Sequence, residues 1–273
     1  MKKIGLALSG GGVRAFAHLG LLTNFKWAGI PIHIISGTSV GAIVGAIYAA
    51  DINFELAKNV ISRLSFFKIF NPIIPFMGLS NFEKIKKILT LLNIPKDFNQ
   101  LKLPLIIAAT ELNSRNTVYF NSGNLWDAIF ASMALPGIFY PVKMGEQLFV
   151  DGGISDNLPT GVLKKEGADF IVASDVNTSS RKYPELTNSF QIVYESVTLL
   201  VEMNTRPSRQ LADFVIDTNL DGIGFLDFGK GKEVFTVSQK ETYGKAMELK
   251  KLLEDKGYVQ DRGLGPLFVS PLP

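Results

Sequence analysis

Gly37-Thr38-Ser39-Val40-Gly41 is the stretch of this chain best suited to chemistry. A serine flanked at two residues' distance by glycines fits a nucleophile elbow, the tight strand-to-helix turn that lifts a hydroxyl clear of a sheet. Gly37 and Gly41 make steric sense there, because side chains would collide across the turn. Such a hydroxyl needs a proton acceptor. In the α/β-hydrolase arrangement that acceptor is a histidine downstream of the serine. Here the two histidines, His18 and His33, both precede Ser39. His33 sits in the strand leading into the turn, and at ~3.3 Å per residue it falls too far below the hydroxyl. His18, in the second turn of the first helix, reads as a packing or supporting residue. Ser39 is therefore inert, or a group other than histidine activates it.

Two further motifs end strands. Ser9-Gly10-Gly11-Gly12-Val13-Arg14-Ala15 follows the first strand and opens the first helix. Consecutive glycines at a helix start expose backbone N–H groups to an anion. That anion could be the oxyanion of an acyl-transfer intermediate. It could also be a nucleotide pyrophosphate, since Gly10-x-Gly12-x-x-Ala15 meets the loose dinucleotide fingerprint. The second reading wants an acid about twenty residues on, and none occurs between Gly12 and Ala50. No Gly-Lys-Ser/Thr exists to make a P-loop. Asp151-Gly152-Gly153 follows the apolar Leu148-Phe149-Val150, so Asp151 can point into the same rim as Ser39; Asp156 and Asp175 are rival carboxylates. Arg14 could bind phosphate or pair with a nearby carboxylate. Lys84, Lys86 and Lys87 read as a solvated helix face.

These motifs, in this order, resemble the patatin-like phospholipase family. Ala131-Ser132-Met133-Ala134-Leu135-Pro136-Gly137-Ile138-Phe139 and Asp156-Asn157-Leu158-Pro159 extend the resemblance, which covers Lys3 to Val176. It is similar to the compact bacterial members related to the catalytic domain of neuropathy target esterase. The resemblance implies lipid acyl-ester hydrolysis by a Ser-Asp dyad, with Ser39 the nucleophile and Asp151 its partner and proton acceptor. It makes the loop Gly10, Gly11, Gly12, Val13, Arg14 the oxyanion hole and implies no cofactor. Glycine at 153 departs from the alanine frequent in the family's third motif. One difficulty stands: an aspartate of ordinary pKa, about 3.9, is a poor acceptor for a hydroxyl proton.

The elements that must carry these residues alternate. Strands are expected at Lys3 to Leu8, Ile32 to Ile35, Leu103 to Ala109, Thr117 to Phe120, Gln147 to Val150, Phe170 to Ala173 and Phe214 to Ile216. Helices are expected at Val13 to Trp27, Val40 to Ala50, Asn53 to Leu64, Ser80 to Leu92 (capped by Ser80 and Glu83), Leu125 to Ala134, Phe190 to Val201 and Lys232 to Lys256. This alternation predicts a three-layer α/β/α fold with a mainly parallel central sheet. Residues 1–273 read as one hydrolase domain, its core about 3–176, with 183–273 packing on or extending it.

Composition narrows the classes. At 273 residues, 47% hydrophobic and 19% charged, the chain reads as globular. A net charge of +3 gives mild attraction to anionic surfaces without the basic stripe that nucleic acid demands. Zero cysteines remove disulfides and thiol catalysis, and two histidines make a histidine-rich metal site unpromising. No run reaches the ~18 to 20 apolar residues of a membrane span, and the apolar start is too short for a signal peptide. A cytoplasmic location is expected, with peripheral membrane contact through the Phe-rich segment 64–82. Two alternatives remain: a nucleotide-dependent enzyme using the glycine loop, and a silent lipid-binding or regulatory protein.

Overall fold

The computed structural model describes residues 2–61, 82–178 and 189–260. Among them one sheet contains β1 (Ile4–Leu8), β2 (Ile34–Thr38), β3 (Leu105–Glu111), β4 (Asn116–Phe120), β5 (Val142–Met144), β6 (Gln147–Asp151), β7 (Phe170–Asp175) and β8 (Phe214–Asp217). The parallel part runs β3-β2-β1-β7-β8, while β4 and β6 pair antiparallel to β3, and β5 to β6. The helices are α1 (Ala17–Ala28), α2 (Val40–Ala49), α3 (Phe54–Ile61), α4 (Glu83–Leu91), α5 (Leu125–Met133), α6 (Thr160–Lys165), α7 (Ser189–Gln210) and α8 (Gly231–Asp255).

Alternate strand residues feed two cores, as a sheet covered on both faces requires. Ile4, Leu6, Leu8, Ile35, Ile107 and Val172 join the larger core with α1, α2, α5 and α8. Ala7, Ile34, Ile106, Ile171 and Ala173 point the other way, onto Leu158, Val162 and Leu163. The expected three-layer α/β/α arrangement with a mainly parallel sheet is what is observed. Small residues let α2 lie close: a Cβ on Gly45 would stand 2.9 Å from Leu105 Cδ1.

The edges of β3 decide where the chemistry goes. Residues Ile107 to Glu111 pair β4 along one edge. The opposite edge is shared: β2 covers Leu105 to Ala108, and β6, running antiparallel, covers Glu111 back to Ala109. The two strands therefore approach head to head and stop at neighbouring positions, Thr38 opposite Ala108 and Asp151 opposite Ala109. Residues distant in sequence are brought together by the sheet itself.

Several boundaries differ from the sequence expectation. β2 starts two residues late and runs three residues further, to Thr38, because β1 and β3 pair its Ser36 and Gly37 on either side. The first helix begins as a 3-10 turn over Gly12–Phe16 before α1 starts at Ala17. α7 continues past Val201 and through Pro207 to Gln210, its last turn anchored where Thr160 Oγ1 donates to the Ser208 carbonyl at 2.7 Å. β5 and α6 have no counterpart in the expected elements; both are short, too short for periodicity to declare them. Ser80, the expected cap of α4, lies outside the described residues. So does segment 64–82 except for Phe82, which stacks on Phe139 at 4.6 Å and Phe130 at 5.0 Å.

Candidate active site

Ser39 closes β2 and opens α2 with φ 54° and ψ −127°. That backbone costs a non-glycine residue about 1–3 kcal/mol, so the surroundings must impose it. Ser39 N–H donates to Ser132 Oγ at 2.8 Å, and that hydroxyl donates onward to the Ala108 carbonyl at 2.6 Å. The flanking glycines permit the turn: a Cβ on Gly37 would lie 2.8 Å from Gly41 O, and one on Gly41 only 2.5 Å from Ser9 O. Ser39 Oγ is not spent on capping α2. It donates to Asp151 Oδ2 at 2.7 Å.

Asp151 is fixed by its place at the end of β6. Its N–H donates to Ala134 O at 3.0 Å, its carbonyl accepts Thr110 Oγ1 at 2.9 Å, and Oδ1 accepts Gly153 N–H at 2.8 Å. Burial pushes the carboxyl up to about 6, against the pull of the hydrogen bonds from Gly153 and Ser39. Desolvation thus makes this carboxylate a better proton acceptor than an ordinary aspartate. The rival carboxylates are engaged elsewhere. Asp156 accepts Tyr119 OH at 2.7 Å and Ser208 Oγ at 3.3 Å, and Asp175 accepts Arg209 Nη1 at 2.7 Å.

The glycine loop lies against the serine, since a Cβ on Gly10 would stand 3.3 Å from Ser39 Cβ. Of its five amides three are committed: Gly10 N–H to Asn157 O at 3.1 Å, Val13 N–H to Phe225 O at 2.9 Å, and Arg14 N–H to Gly11 O at 3.1 Å. The Gly11 and Gly12 N–H groups are not among these bonds. Arg14 is buried and its Nε donates to the Ile223 carbonyl at 2.8 Å, tying the loop to the chain before α8.

Neither histidine meets Ser39. His33 Nδ1 accepts Ile4 N–H at 3.0 Å at the foot of the sheet. His18 is wholly buried, with Nε2 on the Ser9 carbonyl at 2.9 Å and Nδ1 on Ser174 Oγ at 2.9 Å; burial lowers it to about 4. It stays neutral and holds the carbonyl against which Gly41 packs.

The cleft over Ser39 and Asp151 is lined by Gly10, Gly11, Leu135, Ile154, Asn157 and Asn177, and roofed by Val197, Thr198, Val201 and Glu202 of α7 and by Phe225. Its charged lining residues, Asp151 and Glu202, are both acidic. A pyrophosphate would find no counter-charge there. Ser132, Asn157 and Asn177 support the site without having been assigned a role from sequence. Ser132 and Asn157 sit inside motifs that carried the resemblance, whereas Asn177 lies one residue past its end.

A family model for patatin-like phospholipase matches residues 6–164. The chain belongs to that family. As a patatin-like protein it is 34% identical over 191 residues to the lysophospholipase NTE1 of Scheffersomyces stipitis, covering 66% of this chain and 12% of that one. It is also 34% identical over 180 residues to an uncharacterized NTE family protein of Mycobacterium tuberculosis, covering 65% of this chain and 50% of the other. The chain thus spans half or less of the length of these relatives. Among solved structures, VipD from Legionella pneumophila shares the fold, with a TM-score of 0.55 at 14% identity over 92% of this chain and 67% of that one.

Proposed function

We propose that this chain hydrolyses carboxylic esters of lipids, of the phospholipid or lysophospholipid class, through Ser39 and Asp151. The observation that carries the reading is the 2.7 Å hydrogen bond from Ser39 Oγ to the buried Asp151 carboxylate across a strained turn. In the first step Ser39 Oγ attacks the ester carbonyl carbon while its proton passes to Asp151 Oδ2. Gly11 and Gly12 N–H stabilise the oxyanion; losing one such donor costs about 2.7–4 kcal/mol. The tetrahedral intermediate expels the alcohol, which takes the proton from Asp151, and leaves acyl-Ser39. Water then attacks the acyl carbon, gives its proton to Asp151, and the fatty acid departs as Ser39 recovers its own.

Leu135, Ile154, Val197, Val201 and Phe225 give an acyl chain an apolar bed. On its other side α7 exposes Ile192, Val193, Leu199, Leu200 and Met203. That apolar stripe, on the face of α7 turned away from the cleft, is where the lipid aggregate meets the protein. No helix among the described residues is long and apolar enough to cross a membrane. The family match and the NTE1 relative support the substrate class.

The test is covalent. A fluorophosphonate should label Ser39, located by peptide mass, and Ser39→Ala should abolish both labelling and release of fatty acid from lysophospholipid. A folded wild-type protein that takes no label and releases no acid refutes the reading.

A further inference from the structure

We infer that Asn177 is a positioning residue for the oxyanion hole, an inference that rests on the hydrolase reading above. Its basis is the way β1 and β7 remain tied after their backbone pairing ends. The strands pair in register to Leu8 opposite Ser174. Beyond that point the chain after β1 turns into the glycine loop, and successive bonds continue the seam. Ser9 N–H donates to the Ser174 carbonyl at 3.1 Å, Val176 N–H donates to Ser9 Oγ at 3.2 Å, and Asn177 Nδ2 donates to the Gly10 carbonyl at 2.7 Å. Asn177 makes the last and shortest of these ties.

The consequence follows from peptide geometry. A trans peptide is planar, so the carbonyl of Gly10 and the N–H of Gly11 point in opposite directions. Fixing the Gly10 carbonyl on Asn177 fixes the Gly11 N–H away from it, and Gly11, Ser39 and Asn177 line one cleft. Glycine at 11 is otherwise free to rotate that peptide, having no Cβ to restrain it. Its neighbours also show why glycine is needed, because a Cβ would stand 2.5 Å from Val176 Cγ2. Asn177 is itself braced. Its own N–H donates to Asp175 Oδ1 at 3.1 Å, and the other oxygen of Asp175 accepts Arg209 Nη1 at 2.7 Å. A rigid acid thus sets an amide, and the amide aims a backbone donor.

The test uses two substitutions that both delete the amide donor but differ in charge, Asn177→Leu and Asn177→Asp. With p-nitrophenyl butyrate, a soluble ester, kcat should fall in both, to about the 10²-fold that marks the low end of losing one oxyanion donor. KM should stay within twofold. Affinity for a trifluoromethyl ketone, which forms the tetrahedral adduct on Ser39, should weaken by the same factor as kcat/KM. A residue that merely held the cleft together would raise KM and lower the melting temperature without this proportionality. If either variant folds as wild type and keeps kcat within threefold, or if neither variant folds, the inference fails while the hydrolase reading stands. If the wild type takes no fluorophosphonate and cleaves no ester, both fail together.

Discussion

At the scale of single residues the site is a matter of one proton and where it rests. Burial lifts Asp151 to about 6, so its carboxyl is ionised above that value and, on the proposed mechanism, able to accept the Ser39 proton. The expected pH profile of kcat/KM on a soluble ester therefore rises through about pH 6 and is flat to pH 8; a profile rising near pH 4 would contradict it. The same shift has a stability sign. The unfolded aspartate loses its proton near 3.8 and the folded one near 6, so the folded state is penalised as pH climbs through that window. Two pKa units correspond to about 3 kcal/mol at pH 8. Asp151→Asn should then abolish turnover and raise the melting temperature at pH 8 more than at pH 4. Ser132→Ala makes the opposite case, leaving the Ser39 N–H and the Ala108 carbonyl unpaired in the interior. Each orphaned group costs ~1–3 kcal/mol, visible in urea unfolding, and turnover should drop as the elbow loosens. The elbow motif drew attention to Ser39, whereas Asp151 was one of three candidate carboxylates until the family resemblance singled it out. Asn177 was not legible, because an asparagine two residues beyond a strand looks like any turn residue until its partner is known.

At the scale of elements, close approach and exposed faces govern behaviour. Gly41 sits where a methyl group would press on the carbonyl that His18 holds. Gly41→Ala should cost both stability and activity, whereas alanine at Gly244 of α8, where a Cβ meets nothing within 4 Å, should not. The outer stripe of α7 allows a sharper separation. Leu199→Glu with Met203→Glu should weaken hydrolysis of phospholipid vesicles several-fold while leaving p-nitrophenyl butyrate untouched; equal loss on both would mean the stripe serves packing. Sequence reading found most of the strands and helices through their alternation. It ended α7 at Val201, because a proline and polar residues disguise a final turn anchored by tertiary contacts. It placed membrane contact in segment 64–82, for which Phe82 shows packing against Phe130 and Phe139 and the remaining residues lie outside the description.

At the scale of the molecule, ion pairs and buried polar groups bind the layers. Arg209 donates to Asp175 at 2.7 Å and to Asp217 at 2.6 and 2.9 Å, joining α7 to the ends of β7 and β8. Asp175 is 3% exposed, so Arg209→Met would strand a buried charge and should cost about 3–5 kcal/mol in chemical denaturation. The three-layer plan was legible from pattern alone. The sharing of one edge of β3 by two opposed strands was not, because strand order is a long-range choice that no local window records. That sharing has a consequence for how such proteins diversify. The span from hydroxyl to carboxylate is set by one backbone repeat of a central strand, ~3.3 Å, and not by the routes that lead to it. Insertions between Ala49 and Leu105 lengthen the journey without moving either destination. Such a fold can therefore accept longer loops while the spacing between the two strand ends stays fixed.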